Sequence, residues 1–468
     1  MTGDDMSARP NIVFVMTDDH AAHAIGAYGS RVNETPHIDR IAADGMRFDN
    51  TFCTNALCSP SRATILTGTY SHINGVTTLD TPFDSRMPTF PGLLREEGYQ
   101  TALFGKWHLG HGGLADPRGF DEWAVVPGQG EYHDPEFIHP DGRRTHAGYV
   151  TDITTDMSLD WLDRRDRERP FCLLVHHKAP HRPWEPDEKH AHLYPDGSIP
   201  EPSTLRDDYA TRTEAARAAT MRILDDLDDV DLKQPVPEGL TRDEELSWKY
   251  QRYMSDYLRC VASVDDNVGR VLDYLDQHGL TEDTIVVYTS DQGFFLGDHG
   301  WYDKRFMYEE SLRMPFAVRY PAVVDPGTTC EEIVTNVDFA QTFLDLAGVP
   351  DLPPMQGRSF APLLRGERPE DWPTSMYYRY WMHDDGFHHL RAHYGVRTDR
   401  YKLIYYYNRG YGLPGTSDRV FEPEWEMFDL EDDPQELNNV FADPAYADVR
   451  AELRAELDRV QRAALDQP

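Results

Sequence analysis

The run Asn11-Ile12-Val13-Phe14-Val15-Met16, closed by Thr17-Asp18-Asp19-His20, decides the fold. A short continuous apolar run is what a strand buried on both faces requires, because in a parallel sheet helices cover both sides. Asp18 and Asp19 then stand at the carboxyl end of the strand, where open α/β sheets collect ligands. Alone, an Asp-Asp pair after a strand is more often a turn and helix cap. A second run, Thr284-Ile285-Val286-Val287-Tyr288-Thr289-Ser290, ends the same way in Asp291-Gln292-Gly293, and the repetition favours a shared site. Three converging carboxylates repel one another unless a cation lies between them, and an all-oxygen set suits calcium or magnesium better than zinc.

Between these strands lies Cys58-Ser59-Pro60-Ser61-Arg62-Ala63-Thr64-Ile65-Leu66-Thr67-Gly68, which puts a thiol, two hydroxyls and a guanidinium at the start of a helix. Pro60 removes an N–H that a first turn leaves unused, Ser59 or Ser61 can cap, and the free amides point at an oxyanion. Arg62 adds a fork for a tetrahedral oxyanion. Further on, the strand 100–104 delivers Gly105-Lys106-Trp107-His108-Leu109-Gly110. Alternation puts Lys106 and His108 on one side of an extended backbone, an arrangement that an anion relieves, and the flanking glycines let a ligand approach.

The segment from Cys58 to Gly68 fits C-x-P-S-R-x-x-x-L-T-G at every fixed position, and from about Asn11 to beyond Asn438 the chain resembles the type I sulfatases of the alkaline-phosphatase-like superfamily. The resemblance implies that a formylglycine-generating enzyme oxidises Cys58 to formylglycine, whose hydrate is the nucleophile. A geminal diol can eject sulfate by itself, whereas a serine would leave a sulfate ester needing attack by water. The resemblance also implies a divalent cation, calcium or magnesium, on Asp18, Asp19, Asp291 and Gln292, although relatives often carry Asn or His at the last position. Arg62, Lys106 and Lys304 fall on sulfate-binding positions, His108 on the base that restores the aldehyde, and His181 on the histidine facing the sulfate and leaving oxygen.

Composition sets the surroundings. The chain has 468 residues, 40% of them hydrophobic, enough for a large core. Asp plus Glu number 81 against 46 Lys plus Arg, a formal charge of −35, so the bulk surface repels nucleic acid and anionic lipid and any anionic partner needs a local exception. Only seven of those basic residues are lysine, yet two of the seven fill the motif positions Lys106 and Lys304. Five scattered cysteines (Cys53, Cys58, Cys172, Cys260, Cys330) form no disulfide framework, and Cys172 reads as core packing. The start Met1-Thr2-Gly3-Asp4-Asp5 shows no leader and no run reaches bilayer length, so the expectation is a cytoplasmic chain without a membrane partner.

The rest of the chain supplies scaffold and rim. Thr35-Pro36 opens a helix with the hydroxyl at its N-cap. The glycine-punctuated loop 128–135 offers Glu131, Tyr132 and Asp134 as substrate contacts. His176-His177-Lys178-Ala179-Pro180-His181 lacks the spacing of a zinc helix. The charged stretch 203–239 reads as a surface excursion, and a long helix follows over 242–277, with an apolar stripe of Tyr250, Met254, Tyr257, Val261, Val264 and Val268. Short aromatic strands at 376–381, 391–398, 401–407 and 425–430, then a helix from Pro444, predict a small antiparallel sheet. Arg379 and His393 within it are further candidates for holding a sugar. The expected fold is α/β: a large, mostly parallel central sheet flanked by helices over residues 1–372, plus a smaller C-terminal α+β subdomain over 373–468. The expected reaction is hydrolysis of a sulfate ester, with 6-sulfated N-acetylglucosamine, attacked in exo mode, as the first substrate guess. The rivals are a phosphomonoesterase or phosphonate hydrolase of the same fold and a non-catalytic binder of sulfated glycans.

Overall fold

A computed structural model describes residues 9–195 and 197–466. Its ten-stranded sheet runs in the order Thr328–Cys330, Met46–Phe48, Phe316–Arg319, Thr284–Ser290, Asn11–Thr17, Phe171–His176, Gln100–Lys106, Glu122–Val126, Glu136–His139, Gly142–Thr145. The five strands from Thr284–Ser290 to Glu122–Val126 are mutually parallel, as their unbroken apolar runs require. Phe316–Arg319 and the hairpin of Glu136–His139 with Gly142–Thr145 add the antiparallel pairings.

Register carries the site. Thr17 pairs with Ser290, Met16 with His176, and His176 with Gly105. Asp18 and Asp291 follow Thr17 and Ser290 at one level, and Lys106 and His177 lie level with Thr17, one residue earlier, so four strands bring these side chains to their carboxyl ends. Helices Pro36–Ala43, Val150–Arg164 and Arg242–Gln277 form one covering layer, and Cys58–Thr67, Phe90–Glu96 and Phe339–Leu346 the other. Phe14 shows how the second layer is held: its ring meets Phe90, Phe339 and Phe343 edge-on at 5.6–6.5 Å. The long helix starts on a capping box between Thr241 and Glu244. At Pro36–Ala43, by contrast, the Thr35 hydroxyl does not cap; it accepts from the Gly26 amide and donates to Asp39.

The second sheet is a four-stranded antiparallel meander, Ser375–Tyr380, His393–Thr398, Tyr401–Tyr406 and Glu424–Asp429. Helix Ala447–Ala463 covers one face, burying Leu453, Leu457 and Val460 against Tyr377, Val396, Leu403 and Met427. The other face docks beside the Cys58 helix: Tyr378 Oη donates to the Arg305 carbonyl at 2.6 Å, and the Arg379 amide donates to the Thr54 carbonyl at 3.0 Å. The fold class therefore matches the sequence expectation.

The stretch 203–239 does not. It folds into Glu214–Ala218, Ile223–Asp226 and Asp229–Leu232, with Ala215, Ala216, Met221 and Ile223 at 0% exposure. Its Thr213 and Glu214 amides donate to Glu426 and Glu424 of the small sheet, so it is packed between bodies instead of looping into solvent. Among the described residues all five cysteines are free and no helix is long and apolar enough to cross a membrane. The N-terminal residues behind the cytoplasmic expectation lie outside the described ones.

Candidate active site

Helix Cys58–Thr67 begins directly after extended Leu57, is buried along its whole length, and ends on left-handed Gly68. Neither serine caps it. Ser59 Oγ donates to the His108 carbonyl at 2.6 Å, and Ser61 Oγ donates to the Asp291 carbonyl while accepting from Asn336. Both hydroxyls fasten the helix to the strand ends, leaving Cys58 in the row of acids with Sγ 3.6 Å from Asp18 Oδ1. Burial, reinforced by the Asp18 charge, pushes the Cys58 thiol up, so the unmodified side chain is a protonated, poor nucleophile.

Asp18, Asp19 and Asp291 are fully buried, and one oxygen from each lies within 4.8 Å of the others. Three devices balance them. Arg62 donates Nε to Asp291 Oδ2 at 3.0 Å, Nη2 to Asp18 Oδ2 at 3.1 Å and Nη1 to the Lys106 carbonyl at 2.9 Å. Lys106 Nζ contacts Asp18 and Gln129, and Lys304 Nζ meets both Asp19 oxygens at 2.5 and 2.7 Å. Asp18, with Lys106, His181 and Arg62 outweighing its burial, is held well below the usual carboxylate range. Burial and the Asp18 and Asp291 charges prevail over Lys304 and push Asp19 up to about 8; Asp291 is raised by burial and Asp18. The cluster is thus short of positive charge. Gln292 Nε2 donates to Asp19 Oδ1 at 2.6 Å while its buried Oε1 has no partner. Three carboxylates and one orphaned amide oxygen fit a hard, oxygen-seeking cation.

His181 and His108 complete the group. His181 Nδ1 lies 2.7 Å from the Arg182 carbonyl, which fixes the proton there and leaves Nε2 free, 3.7 Å from Asp19 Oδ2. His108, with a backbone φ of 55°, sets Nδ1 3.4 Å from Ser59 Oγ. Burial, then the Lys106 charge, holds both imidazoles well below their ordinary range, so they rest neutral.

Arg62 departs from its expected role: its guanidinium is taken up by Asp18, Asp291 and the Lys106 carbonyl instead of being open to an oxyanion. The glycines around Lys106 also serve the scaffold. A Cβ at Gly105 (φ 104°) would overlap the His176 carbonyl of the next strand, and one at Gly110 would crowd Ala115. Among the rim candidates, Glu131 and Asp134 are exposed, with Asp134 Oδ1 accepting from the Gly148 amide at 2.8 Å. Tyr132 is buried, stacked on Tyr149, and donates its hydroxyl to the His181 carbonyl at 2.6 Å. Arg379 lies inside the small sheet, both 2.7 Å contacts of its Nη1 going to Asp466, its guanidinium 3.5 Å from the centre of the Trp381 ring. His393 is enclosed by Tyr378, Tyr380, Tyr406 and Phe306. Tyr132, Arg379 and His393 are therefore framework positions.

Sequence reasoning passed over a polar group flanking Lys304. Asp303 (φ 79°) and Arg305 (φ 92°) sit in a backbone region costly for side chains other than glycine. Arg305 reaches Asp303 Oδ1, Tyr380 Oη and His388 Nε2 at 3.2–3.3 Å, and His388 Nδ1 lies 3.1 Å from Asp385. The neighbourhood of Lys304 in the motif was the available signal; the partner His388 comes from a distant loop.

A family model described as Sulfatase matches residues 10–349, and one described as N-sulphoglucosamine sulphohydrolase, C-terminal, matches residues 297–463. An N-acetylglucosamine-6-O-sulfatase of Bacteroides thetaiotaomicron is 43% identical over 503 aligned residues, spanning 98% of this chain and 87% of that protein. An N-acetylglucosamine-6-sulfatase of Capra hircus is 29% identical over 80% of this chain and 67% of its own. A chain solved in complex with its substrate D-glucosamine-2-N,6-O-disulfate is 43% identical and matches with a TM-score of 0.89, covering 97% of this chain and 98% of that one. The phosphonate monoester hydrolase of Agrobacterium radiobacter, at 22% identity and a TM-score of 0.76 over 98% of this chain and 97% of its own, shares the fold.

Proposed function

The chain belongs to the sulfatase family and is a sulfuric ester hydrolase acting on carbohydrate, and we propose that its substrate is a terminal 6-O-sulfated glucosamine, N-acetylated as the first choice. The observation that carries the reading is the position of Cys58, first residue of a buried helix and 3.6 Å from the acid cluster. The near full-length likeness to an N-acetylglucosamine-6-O-sulfatase supports the sugar.

A formylglycine made from Cys58 by a formylglycine-generating enzyme would supply a hydrated aldehyde as nucleophile, and Asp18, Asp19, Asp291 and Gln292 would hold a calcium or magnesium ion that supplies positive charge. Arg62 holds Asp18 and Asp291 in place. Lys106 and Lys304 offer ammonium groups to the sulfate oxygens in a water-poor site, where such charges act strongly. As the bond from sulfur to the sugar oxygen breaks, that oxygen must take a proton, because a sugar alkoxide is a poor leaving group. The incoming sulfate ester anion offsets the Lys106 charge, so His181, neutral at rest through burial and that charge, takes up a proton at Nε2 and delivers it to this oxygen. His108 accepts the proton whose loss releases sulfate. Over the cycle one water is consumed, and an alcohol and sulfate leave.

The test is mass spectrometry of the Cys58 peptide followed by rates on 6-sulfated N-acetylglucosamine, its 6-phosphate and an aryl sulfate. Conversion of Cys58 with preference for the sugar sulfate is expected. Faster hydrolysis of the phosphate would overturn the reaction, and an aryl ester outpacing every sugar would overturn the substrate.

A further inference from the structure

Six of the seven lysines have a carboxylate within ion-pairing distance: Lys106, Lys189, Lys233, Lys249, Lys304 and Lys402. Lys178 has none among the described residues, although it is only 2% exposed in a chain with a net charge of −35. A buried cation without a counter-ion is costly and is retained where it has a task. Its surroundings name the task. Lys178 Nζ donates to the Arg182 carbonyl at 3.3 Å and lies 4.5 Å from the centre of the Tyr132 ring. The same carbonyl faces His181 Nδ1 at 2.7 Å, and the Tyr132 hydroxyl donates to the His181 carbonyl at 2.6 Å.

We infer that Lys178 is a positioning residue for His181, acting through the Arg182 carbonyl, and that Tyr132 is its partner at the preceding peptide, whose carbonyl is that of His181. The inference rests on the reading of His181 as proton donor to the leaving alcohol. Lys178 pins the carbonyl oxygen that receives the Nδ1 proton; Tyr132 pins the carbonyl before it. Together they fix the ring so that Nε2, and not Nδ1, faces the reacting ester, as outer partners do for metal-bound histidines. Burial, then repulsion from Lys106, lowers Lys178 to about 8, consistent with a charge held without a carboxylate.

The leaving group makes this testable. A sugar alkoxide needs the proton in the transition state, while an aryl oxide with electron-withdrawing substituents departs without it. Lys178→Met should lower kcat on 6-sulfated N-acetylglucosamine by about 10- to 100-fold with KM within about 3-fold, and change kcat on 4-nitrophenyl sulfate by less than about 3-fold. Lys178→Arg, which keeps the charge and a donor, should recover most of the sugar rate. Tyr132→Phe removes a single oxygen and should show the same sugar-selective loss, and the double variant should lose less than the sum of the two. Thermal unfolding of each variant guards against misfolding. Equal losses on both esters, a change confined to KM, or an unchanged kcat on the sugar would overturn the inference. His181→Ala reports on the premise: if it too loses both activities equally, the proton-donor reading falls and takes the inference with it.

Discussion

Arg62 Nε lies 3.0 Å from Asp291 Oδ2, and both side chains are sealed from solvent. The same guanidinium bonds Asp18 at 3.1 Å, so one planar fork spans two carboxylates that would otherwise repel. A lysine keeps the charge but has no fork. Arg62→Lys should therefore lower kcat/KM by about 100-fold or more and reduce the melting temperature, since each buried hydrogen bond left unmade costs about 1–3 kcal/mol. An Arg62→Lys enzyme with near wild-type rate would mean that the guanidinium geometry is immaterial.

The electrostatics of Asp18, Asp19 and Asp291 set a second expectation. Chelation should abolish turnover and lower the melting temperature. Calcium or magnesium should restore both, because a cation that binds only the folded state stabilises it by mass action. Asp291→Asn removes one of the balancing charges and should cut activity by orders of magnitude while weakening the thermal response to the cation. Recovery with zinc alone would show that the oxygen set has been misjudged.

The parts legible in the sequence were those tied to backbone periodicity. The runs at Asn11–Thr17 and Thr284–Ser290 gave parallel strands, and their pairing without offset put Asp18 next to Asp291. What a side chain touches was much less legible. Arg62 stood in a motif facing an oxyanion, yet its guanidinium bonds Asp18 and Asp291. The acidic stretch 203–239 hides its apolar residues, Ala215, Ala216, Met221, Ile223 and Leu232, at irregular spacing, which no helical or strand period exposes. In the small sheet, alternation separates Tyr377 from Tyr378, but helix Ala447–Ala463 covers the face of Tyr377 and the large body covers the face of Tyr378, so both rings are packing residues.

His393 gives that last point a pH test. Burial lowers it from an ordinary 6.5 to about 4, so the folded state prefers it neutral. Stability from this preference is full above the unfolded value and is lost as pH falls from 6.5 towards about 4. The whole shift corresponds to about 3 kcal/mol. His393→Phe should fit among Tyr378, Tyr380, Tyr406 and Phe306, give up the bond to the Arg391 carbonyl, and flatten the decline of melting temperature between pH 6.5 and 4. Its kcat/KM on the sugar should stay within about 2-fold, because the ring is enclosed by aromatic neighbours and does not open onto the acid cluster; a ten-fold fall would return His393 to the substrate site.

The residues flanking Lys304 carry the final prediction. Asp303 and Arg305 both hold positive φ, at 79° and 92°, a strain of about 1–3 kcal/mol each that persists only where surroundings over-determine it. Here Asp303, Tyr380 and His388 hold the Arg305 guanidinium, and Asp385 holds His388 Nδ1. The outcome is a rigid carboxylate, guanidinium and imidazole beside the ammonium that addresses the sulfate. Such a group can pair the hydroxyls of a sugar ring, and a polar site built for hydroxyls discriminates strongly against ligands without them. Asp303→Asn and Arg305→Met should each lower kcat/KM for 6-sulfated N-acetylglucosamine by about 100-fold, while 4-nitrophenyl sulfate, which has no ring hydroxyls, loses less than about 5-fold. Comparable losses on both esters would mean that these residues serve Lys304 and the sulfate alone, and the sugar would then have to be read elsewhere on the rim, with exposed Glu131 and Asp134 the next positions to vary.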